Sequence, residues 1–590
     1  MKTLSHDGKK MPENVTQKFL DMIKLPNPDT KRIQYLFVMP RFVMQDDVMH
    51  LIPYGFCLVS SALKASGRDV FTLNLNYKAD PYDVLQQMIT NNTIDVVFTG
   101  GLSGQYTMIK EILDMAKSIK PSIITCVGGG IITADPVAAM EALETADYGI
   151  IGEGEIAVNA FAYELENNGN IGKLGGIVAR DGSIGPPLPE IQDLDVLPFP
   201  DYDGFEYNLL LRGGLKVASN FYHEYNLNIA TSRSCPYNCT FCFHSSGKKY
   251  RRRSIGSICS EIDWILRNYP SIKSIYFVDE QFIEDIEFLK ALTDYVKKRN
   301  LRYVCLTRVD YISKEKLQIL KDSGCSMVGY GVESADNRIL KSMRKNITVE
   351  QINQAFDLAL EVGLEARGNL IFGDPEETPE SINTSLDWWK KHPEYKIVIN
   401  WINTFPGSHL YQVACERGVI TDRAKYLKDN KMQINLTKMP DDMYWDMVKR
   451  VALFQTLSTN DVDVNFDEMD CITEMLRKKL EILSEQCCIA IWPVRYEVVA
   501  MLNEISPKFV ASKNVFFVNI NPADSFVSSC ESFGKKVHTP DDIFSNASVD
   551  IVLYAIGNKA NREIYNQISQ SINQSYSSVK RLLKITELLR

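Results

Sequence analysis

Residues 231–247 read Thr-Ser-Arg-Ser-Cys-Pro-Tyr-Asn-Cys-Thr-Phe-Cys-Phe-His-Ser-Ser-Gly. Within this stretch, Cys235, Cys239 and Cys242 stand at C-x3-C-x2-C spacing and form a short cysteine loop. Thiolates are the ligands that iron–sulfur clusters and zinc prefer. A structural zinc site takes four protein ligands, and His244 lies too close in sequence to complete one comfortably. Three thiolates on a four-iron cluster instead leave one iron open to a small molecule.

Composition limits the classes of protein that remain. The 590-residue chain is long enough for about three domains with separate cores. A net charge of −9 argues against a general nucleic-acid binder. Residues 1–30 show no signal peptide, and no apolar run reaches the length of a membrane span. Because the 13 cysteines lack paired spacing, they indicate a reducing cytoplasm, and we expect a cytoplasmic protein.

Four segments with different patterns divide the chain, and together they predict an α/β protein. Residues 30–185 alternate apolar strands with helices, which predicts a doubly wound, Rossmann-like parallel sheet. Residues 186–225 form a proline-rich, extended linker. Residues 226–430 contain six strand-then-helix units, which predict a partial (β/α)6 barrel with the cysteine loop after its first strand. Residues 431–590 predict a helical segment and a small α/β unit.

A basic run follows the cysteine loop. It consists of Lys248, Lys249, Arg251, Arg252 and Arg253. These cations could contact an anionic substrate or an electron donor. We favour the alternative of a solvated loop that leads into a helix capped by Ser254, because serine is a preferred N-cap residue.

The cysteine spacing and several motifs downstream resemble the radical S-adenosylmethionine (SAM) superfamily. Each motif directly follows a predicted strand: Asp279-Glu280-Gln281-Phe282, Gly331-Val332-Glu333-Ser334, Gly373-Asp374-Pro375-Glu376-Glu377-Thr378 and Pro406-Gly407-Ser408. The resemblance covers residues 190–415. It implies a [4Fe–4S] cluster on the three cysteines, an open iron that binds the amino and carboxylate groups of SAM, and cleavage of SAM to a 5′-deoxyadenosyl radical. A zinc knuckle or three unrelated core cysteines remain as alternatives.

The resemblance also implies a SAM pocket at the ends of these strands. Its candidate residues are Phe241, Asp279, Glu280, Arg308, Glu333, Ser334, Leu370 and Ile371. A carboxylate at Glu280 would bind the ammonium group of SAM through a charge-assisted hydrogen bond. Phe241 and the backbone of Leu370 and Ile371 would lie near the adenine. Arg308 could pair with an anion, but a surface salt bridge is an equally good interpretation.

Residues 30–185 resemble the cobalamin-binding domain that precedes the radical domain in one subfamily. The resemblance implies a cobalamin site formed by Ser103, Gly128, Gly129, Gly130 and Glu153. Glycines at the carboxyl ends of strands allow a ligand to approach the backbone. The loop after the first strand, residues 40–47, lacks the histidine of the D-x-H-x-x-G motif, so no such histidine is expected on cobalt. A different ligand, or none, is the alternative.

A cobalamin-dependent radical SAM enzyme is the function that these resemblances imply. It would be a C-methyltransferase that methylates an unactivated carbon of a small molecule or natural product. The implied partners are that substrate and a reducing electron donor such as flavodoxin or ferredoxin. The alternatives are cyclisation, rearrangement or coupling without methyl transfer, and a non-enzymatic iron–sulfur protein. Methylthio transfer is disfavoured, since that chemistry uses three further cysteines and this domain offers only Cys57 and Cys126.

Overall fold

The computed structural model describes most of the chain. The described residues are 14–41, 48–49, 53–76, 78, 80–207, 216–217, 226–282, 285–458, 466–492, 499, 502–503, 505–518, 534–539, 542–543, 549–554 and 581–584. Two compact units divide the chain, the first comprising residues 1–377 and 387–437 and the second residues 378–386 and 438–590. None of the described helices combines the length and apolarity needed to cross a bilayer.

The N-terminal part of the first unit contains a six-stranded sheet. The first eight strands are β1 (Gln34–Met39), β2 (Val48–Met49), β3 (Asp69–Asn74), β4 (Val96–Gly100), β5 (Ile124–Gly128), β6 (Tyr148–Ile150), β7 (Ile177–Ala179) and β8 (Lys216–Val217). The sheet has the order β3-β1-β4-β5-β6-β7, and β2 pairs with β8. Five strands are parallel, whereas β7 is antiparallel to β6. The predicted doubly wound sheet is confirmed, and β7 is an addition too short to show a pattern.

Helices cover both faces of this sheet. They are α1 (Gln17–Leu20), α2 (Tyr54–Ala65), α3 (Pro81–Asn91), α4 (Tyr106–Ile119), α5 (Gly130–Ala134), α6 (Pro136–Ala142) and α7 (Gly154–Glu166). The central strand β1 is continuously apolar and buried from Tyr35 to Met39, as expected for a strand covered on two sides. The strand order changes direction between β1 and β4. In sheets of this type, ligands bind at the carboxyl ends of the strands on either side of that point.

The central part of the first unit is a second sheet of six parallel strands. The strands of this region are β9 (Asn226–Ile229), β10 (Ser232–Arg233), β11 (Arg251–Arg252), β12 (Ser274–Phe277), β13 (Arg302–Thr307), β14 (Cys325–Glu333), β15 (Glu365–Phe372) and β16 (Ile397–Trp401). The sheet has the order β16-β15-β14-β13-β12-β9, and every neighbouring pair is parallel. This order confirms the predicted partial (β/α)6 barrel.

The helices of the barrel region follow its strands. They are α8 (Ile255–Asn268), α9 (Ile286–Lys298), α10 (Lys314–Asp322), α11 (Asn337–Ser342), α12 (Val349–Glu361), α13 (Pro379–Lys391), α14 (His409–Glu416) and α15 (Arg423–Asp429). The last of them also packs on the N-terminal sheet's helices, since Ala424 and Leu427 share one hydrophobic core with Ile131 and Ala139. Because the N-terminal domain and the barrel share this core, they pack as one body.

The linker between the two sheets is packed on the N-terminal domain where the structure describes it. Phe199 and Tyr202 are buried, and the carbonyl of Phe199 accepts a hydrogen bond of 2.5 Å from the Ser61 hydroxyl. Lys64 forms a buried ion pair of 2.8 Å with Asp201. These contacts attach the linker to α2, so this segment of the chain is part of the folded core.

Among its described residues, the second unit contains a five-stranded parallel sheet and three further helices. Its elements are α16 (Asp441–Ser458), α17 (Met469–Gln486), β17 (Ile489–Ile491), α18 (Pro507–Ala511), β18 (Val515–Val518), β19 (Val537–His538), β20 (Ile551–Tyr554) and β21 (Arg581–Lys584). The strand order is β19-β18-β17-β20-β21. The predicted helical segment and small α/β unit are confirmed. The helix predicted at 495–504 lies largely outside the described residues.

Candidate functional site

The cysteine loop is closed at its base by a short antiparallel ribbon. Strands β10 and β11 pair with Ser232 opposite Arg252 and Arg233 opposite Arg251. The loop is held on the barrel by backbone hydrogen bonds of 3.0 Å, from Thr240 to the Met343 carbonyl and from Leu410 to the Thr240 carbonyl. These contacts hold the cysteine loop against the barrel beyond the carboxyl end of β9.

The surroundings of the thiols fit an iron–sulfur cluster. Burial raises the pKa of Cys239, and the cations of Lys345 and Arg308 partly offset that rise. Buried cations of this kind stabilise the negative charge that thiolate ligands bring. Among the described side chains, no three His, Cys, Asp or Glu residues are grouped around one point. A four-iron cluster binds each thiolate to a different iron, so its ligands need not converge on one point.

His244 is committed to contacts within the protein. Its Nδ1 lies 3.1 Å from Glu280 Oε2, and its Nε2 lies 3.1 Å from the carbonyl oxygen of Tyr237. The hydrogen bond with Glu280 raises the pKa of His244. Both ring nitrogens thus have partners, and Glu280 supports the cysteine loop through this contact. A role for Glu280 toward the ammonium group of SAM stays a prediction.

Asp279, at the end of β12, is buried and joins two strand ends. Its Oδ1 accepts hydrogen bonds of 2.9 Å from the Thr231 amide and hydroxyl and 2.5 Å from the Ser232 hydroxyl. Its Oδ2 is buried and has no hydrogen-bond partner among the described residues. Burial raises the pKa of Asp279 to about 6. One carboxylate oxygen is therefore structural, and the other is buried without a hydrogen-bond partner among the described residues.

Arg308 follows β13 and is buried, so the interpretation as a surface salt bridge is wrong. Its guanidinium pairs with both carboxylate oxygens of Asp310, at 2.9 and 3.0 Å, and donates to the Lys345 carbonyl at 2.7 Å. The same group stacks on the ring of Tyr237, 3.6 Å from its centroid. These contacts fix the guanidinium beside the cysteine loop, where it contributes positive charge.

Glu333 and Lys345 form a buried ion pair that sequence reasoning missed. Lys345 Nζ lies 2.8 Å from Glu333 Oε1, and Asn369 donates to Glu333 Oε2 at 3.2 Å. Burial opposes the charge on Lys345, but Glu333 outweighs that effect and the pKa of Lys345 is raised. Glu333 has a φ of 69° where β14 shifts register against β15. One feature of the sequence points to this pair, since Lys345 lies between two apolar residues that are buried, Met343 and Ile347.

The apolar candidates of the predicted SAM pocket divide into two groups. Phe241 and Ile371 are half-buried and pack against the same core, which includes Met343 and Ile402. Leu370 is completely buried, because successive side chains of β15 alternate between its two faces. Phe241 and Ile371 are therefore brought together, whereas Leu370 can offer only its backbone. Ser334, also buried, follows Glu333 directly.

Glycine loops at the ends of β4 and β5 lie against each other. Gly129 has a φ of 85°, and a Cβ there would lie 2.8 Å from the carbonyl oxygen of Gly101. The Ile131 amide donates a hydrogen bond of 3.0 Å to the same carbonyl. Ser103 is buried at the start of a short 3-10 turn. The predicted cobalamin residues Ser103, Gly128, Gly129 and Gly130 thus occupy one edge of the sheet.

Phe243 connects this glycine edge to the cysteine loop. A Cβ on Gly130 would lie 3.3 Å from the Phe243 ring, and a Cβ on Gly407 would lie 2.5 Å from it. Phe243 directly follows the predicted cluster ligand Cys242. Its ring therefore packs against backbone from the N-terminal sheet on one side and from the turn after β16 on the other. The two predicted cofactor sites are neighbours.

Comparison with known proteins gives the same two modules. A family model described as the Radical SAM superfamily matches residues 229–388, and one described as the B12 binding domain matches residues 41–162. The chain combines a B12-binding domain with a radical SAM domain. The resemblance inferred from the motifs is confirmed.

Known proteins match the chain at modest identity. The chain is 28% identical over 329 residues to an uncharacterized methyltransferase, PH0819, of Pyrococcus horikoshii, covering 55% of this chain and 69% of that protein. It is 27% identical over 421 residues to the hopanoid C-3 methylase of Methylococcus capsulatus, covering 68% and 76%. The solved structure of the cobalamin-dependent radical enzyme OxsB, with aqua-cobalamin and SAM bound, has a similar fold, with a TM-score of 0.59, 17% identity and coverage of 80% and 75%.

Glu153, a predicted cobalamin residue, has its carboxylate occupied by the chain itself. Arg233 Nη1 lies 2.6 Å from Glu153 Oε1, and Arg251 Nη1 lies 2.8 and 2.9 Å from its two oxygens. The Ile191 amide donates to Glu153 Oε2 at 2.6 Å. The side chain therefore joins the B12-binding domain to the base of the cysteine loop, and a contact between Glu153 and cobalamin stays a prediction.

The basic run is in part buried, so its interpretation as a solvated loop is wrong for two residues. Arg251 pairs with Glu153, and Arg253 pairs with the fully buried Glu261. Lys248 and Lys249 are exposed. The predicted cap is confirmed, because the Ser254 hydroxyl accepts a hydrogen bond of 3.1 Å from the Ser257 amide.

Proposed function

We propose that the chain is a cobalamin-dependent radical SAM methyltransferase that acts on an unactivated carbon of a small molecule. The observation that carries the proposal is the contact of Phe243 with Gly130 and Gly407. This contact joins the predicted cluster ligands to the glycine edge of the B12-binding domain. In the proposed reaction both cofactors act on one substrate, so both must lie close to it. Adjacent cofactor sites satisfy that requirement.

The residues of the chain have separable roles in this proposal. Cys235, Cys239 and Cys242 would bind the cluster, and the glycine edge would bind cobalamin. Asp279 Oδ2 and the Glu333–Lys345 pair supply polar groups for SAM beside them. The cluster supplies an electron for cleavage of SAM, and cobalamin carries the methyl group. The protein's own contribution is binding, orientation and exclusion of water.

The proposal extends to domains, partners and location. Residues 30–185 would bind cobalamin, residues 226–430 would carry the radical chemistry, and residues 431–590 would be an accessory region. A reduced flavodoxin or ferredoxin would supply the electron in the cytoplasm. The net charge of −9 gives no support to a nucleic-acid partner.

Anaerobic reconstitution of the full chain with iron, sulfide and hydroxocobalamin tests this function. We expect about four irons per chain, a stoichiometric amount of cobalt, and 5′-deoxyadenosine after addition of SAM and dithionite. Iron without cobalt would contradict the cobalamin-dependent function and favour a radical SAM enzyme that transfers no methyl group. Iron without any SAM cleavage would instead support a non-enzymatic iron–sulfur protein.

A Gly129→Ala variant is expected to weaken cobalamin binding about tenfold or more while iron content stays normal. Its φ of 85° and the 2.8 Å approach to the Gly101 carbonyl leave no room for a Cβ, and such strain costs about 1–3 kcal/mol. Gly104→Ala is the matched control, because an added Cβ there meets nothing within 4 Å. Cobalt titration by visible absorbance measures both variants, and equal affinities would contradict a role for the glycine edge.

A further inference from the structure

Four charged residues join the base of the cysteine loop to the B12-binding domain. Glu153 and Glu155 stand at the start of α7, and Arg233 and Arg251 stand on the β10–β11 ribbon. Arg233 pairs with both glutamates, and Arg251 pairs with Glu153. Their side chains are only 3–13% exposed. We call this group the clasp.

The ribbon places two like charges side by side. Arg233 and Arg251 are directly opposite each other in the antiparallel pair. Like charges at opposed positions repel and destabilise a ribbon, particularly when they are buried. The two glutamates neutralise them, and the start of α7 is itself a favourable place for carboxylates. The ribbon that closes the cysteine loop therefore takes much of its charge balance from the B12-binding domain, and Glu190 of the linker adds a third carboxylate 3.6 Å from Arg251.

The clasp also connects to the glycine edge. Gly152, directly before Glu153, donates a backbone hydrogen bond of 2.9 Å to the hydroxyl of Thr133. Thr133 lies on α5, the helix that begins at Gly130. At the other end of the cysteine loop, Phe243 packs on Gly130. The same part of the B12-binding domain thus contacts both the base and the far side of the cysteine loop.

We propose that Glu153, Glu155, Arg233 and Arg251 are positioning residues that set the distance and orientation between the cluster and cobalamin. The inference rests on the proposed function and deepens it. The clasp holds the loop of cluster ligands in one register on the domain that would hold the second cofactor. Because catalysis is sensitive to shifts of about 1 Å, loosening the clasp uncouples SAM cleavage from methyl transfer.

Electron paramagnetic resonance of the full chain tests this inference. The reduced cluster and cob(II)alamin are both paramagnetic, so their magnetic interaction reports the distance between them. Glu155→Gln removes one charge at constant shape, and Arg233→Lys keeps the charge but loses the two-armed contact. We expect both variants to bind iron and cobalt normally and to show a weakened or heterogeneous magnetic interaction. We also expect a several-fold rise in the ratio of 5′-deoxyadenosine formed to SAM-derived methyl groups transferred to cobalamin.

The matched control is Glu166→Gln, which breaks a buried pair of 2.7 Å with Arg68 inside the B12-binding domain. It is expected to lower thermal stability without changing the magnetic interaction. A wild-type magnetic interaction that persists unchanged in Glu155→Gln and Arg233→Lys would overturn the clasp alone. A weakened magnetic interaction in Glu166→Gln would also overturn the clasp, because the effect would then reflect general loosening of the domain. Wild-type protein without cobalt would overturn the proposed function, and the clasp with it.

Discussion

A Cys239→Ala variant is expected to lose the iron–sulfur cluster and, with it, all cleavage of SAM. Cys239 is the middle one of the three predicted ligands in the cysteine loop, and it is only 9% exposed. Its sulfur lies 3.9 Å from the backbone carbonyl of Arg344, beside the buried cation of Lys345. A cluster with two protein ligands cannot stay in place at that position. Iron analysis after anaerobic reconstitution should fall from about four per chain to near zero.

The control for this variant is Cys259→Ala. Cys259 lies on α8, is half-buried, and belongs to no predicted ligand set. It should retain full iron and full formation of 5′-deoxyadenosine. Chromatography of the nucleoside product measures both variants under dithionite. Continued formation of 5′-deoxyadenosine by Cys239→Ala would contradict the assignment of the cysteine loop as the cluster site.

Local sequence patterns predict most of the fold. Strand β14 could be predicted because it is a mostly buried apolar run that ends in a polar motif, and β15 because its buried and partly buried side chains alternate before its own polar motif. The position of the cysteine loop after β9 follows from the same pattern, since a loop after a parallel strand lies at the carboxyl edge of the sheet. These features depend on residues that are close in sequence, and sequence reasoning reads such features well.

Long-range ion pairs could not be predicted in the same way. Glu153 pairs with Arg233 and Arg251, which lie 80 and 98 positions away in the chain. No local pattern links these residues, so Glu153 was interpreted as a cofactor contact and Arg251 as part of a solvated loop. The ribbon of β10 and β11 has two residues in each strand, too few to show a period. Tertiary contacts therefore decide what these charges do.

Breaking the Glu333–Lys345 pair is also expected to have a large effect. Glu333→Ala should lower the free energy of unfolding by about 3–5 kcal/mol. The side chains are 7% and 8% exposed, so Lys345 would be left as a buried, unpaired cation. SAM affinity should fall as well, because Lys345 would no longer be fixed beside the cysteine loop. Chemical denaturation measures the free energy of unfolding, and SAM titration of the reconstituted protein measures affinity separately.

A double-mutant cycle separates the pair from the loss of either side chain. Glu333→Ala combined with Lys345→Met removes both charges, so the destabilisation should be smaller than the sum of the single effects by about 1–3 kcal/mol. The exposed pair of Lys314 and Glu361, at 60% and 55% exposure, provides the control. Glu361→Ala should change the free energy of unfolding by less than about 1 kcal/mol. Additive effects at Glu333 and Lys345 would contradict the conclusion that the two charges stabilise each other in the folded protein.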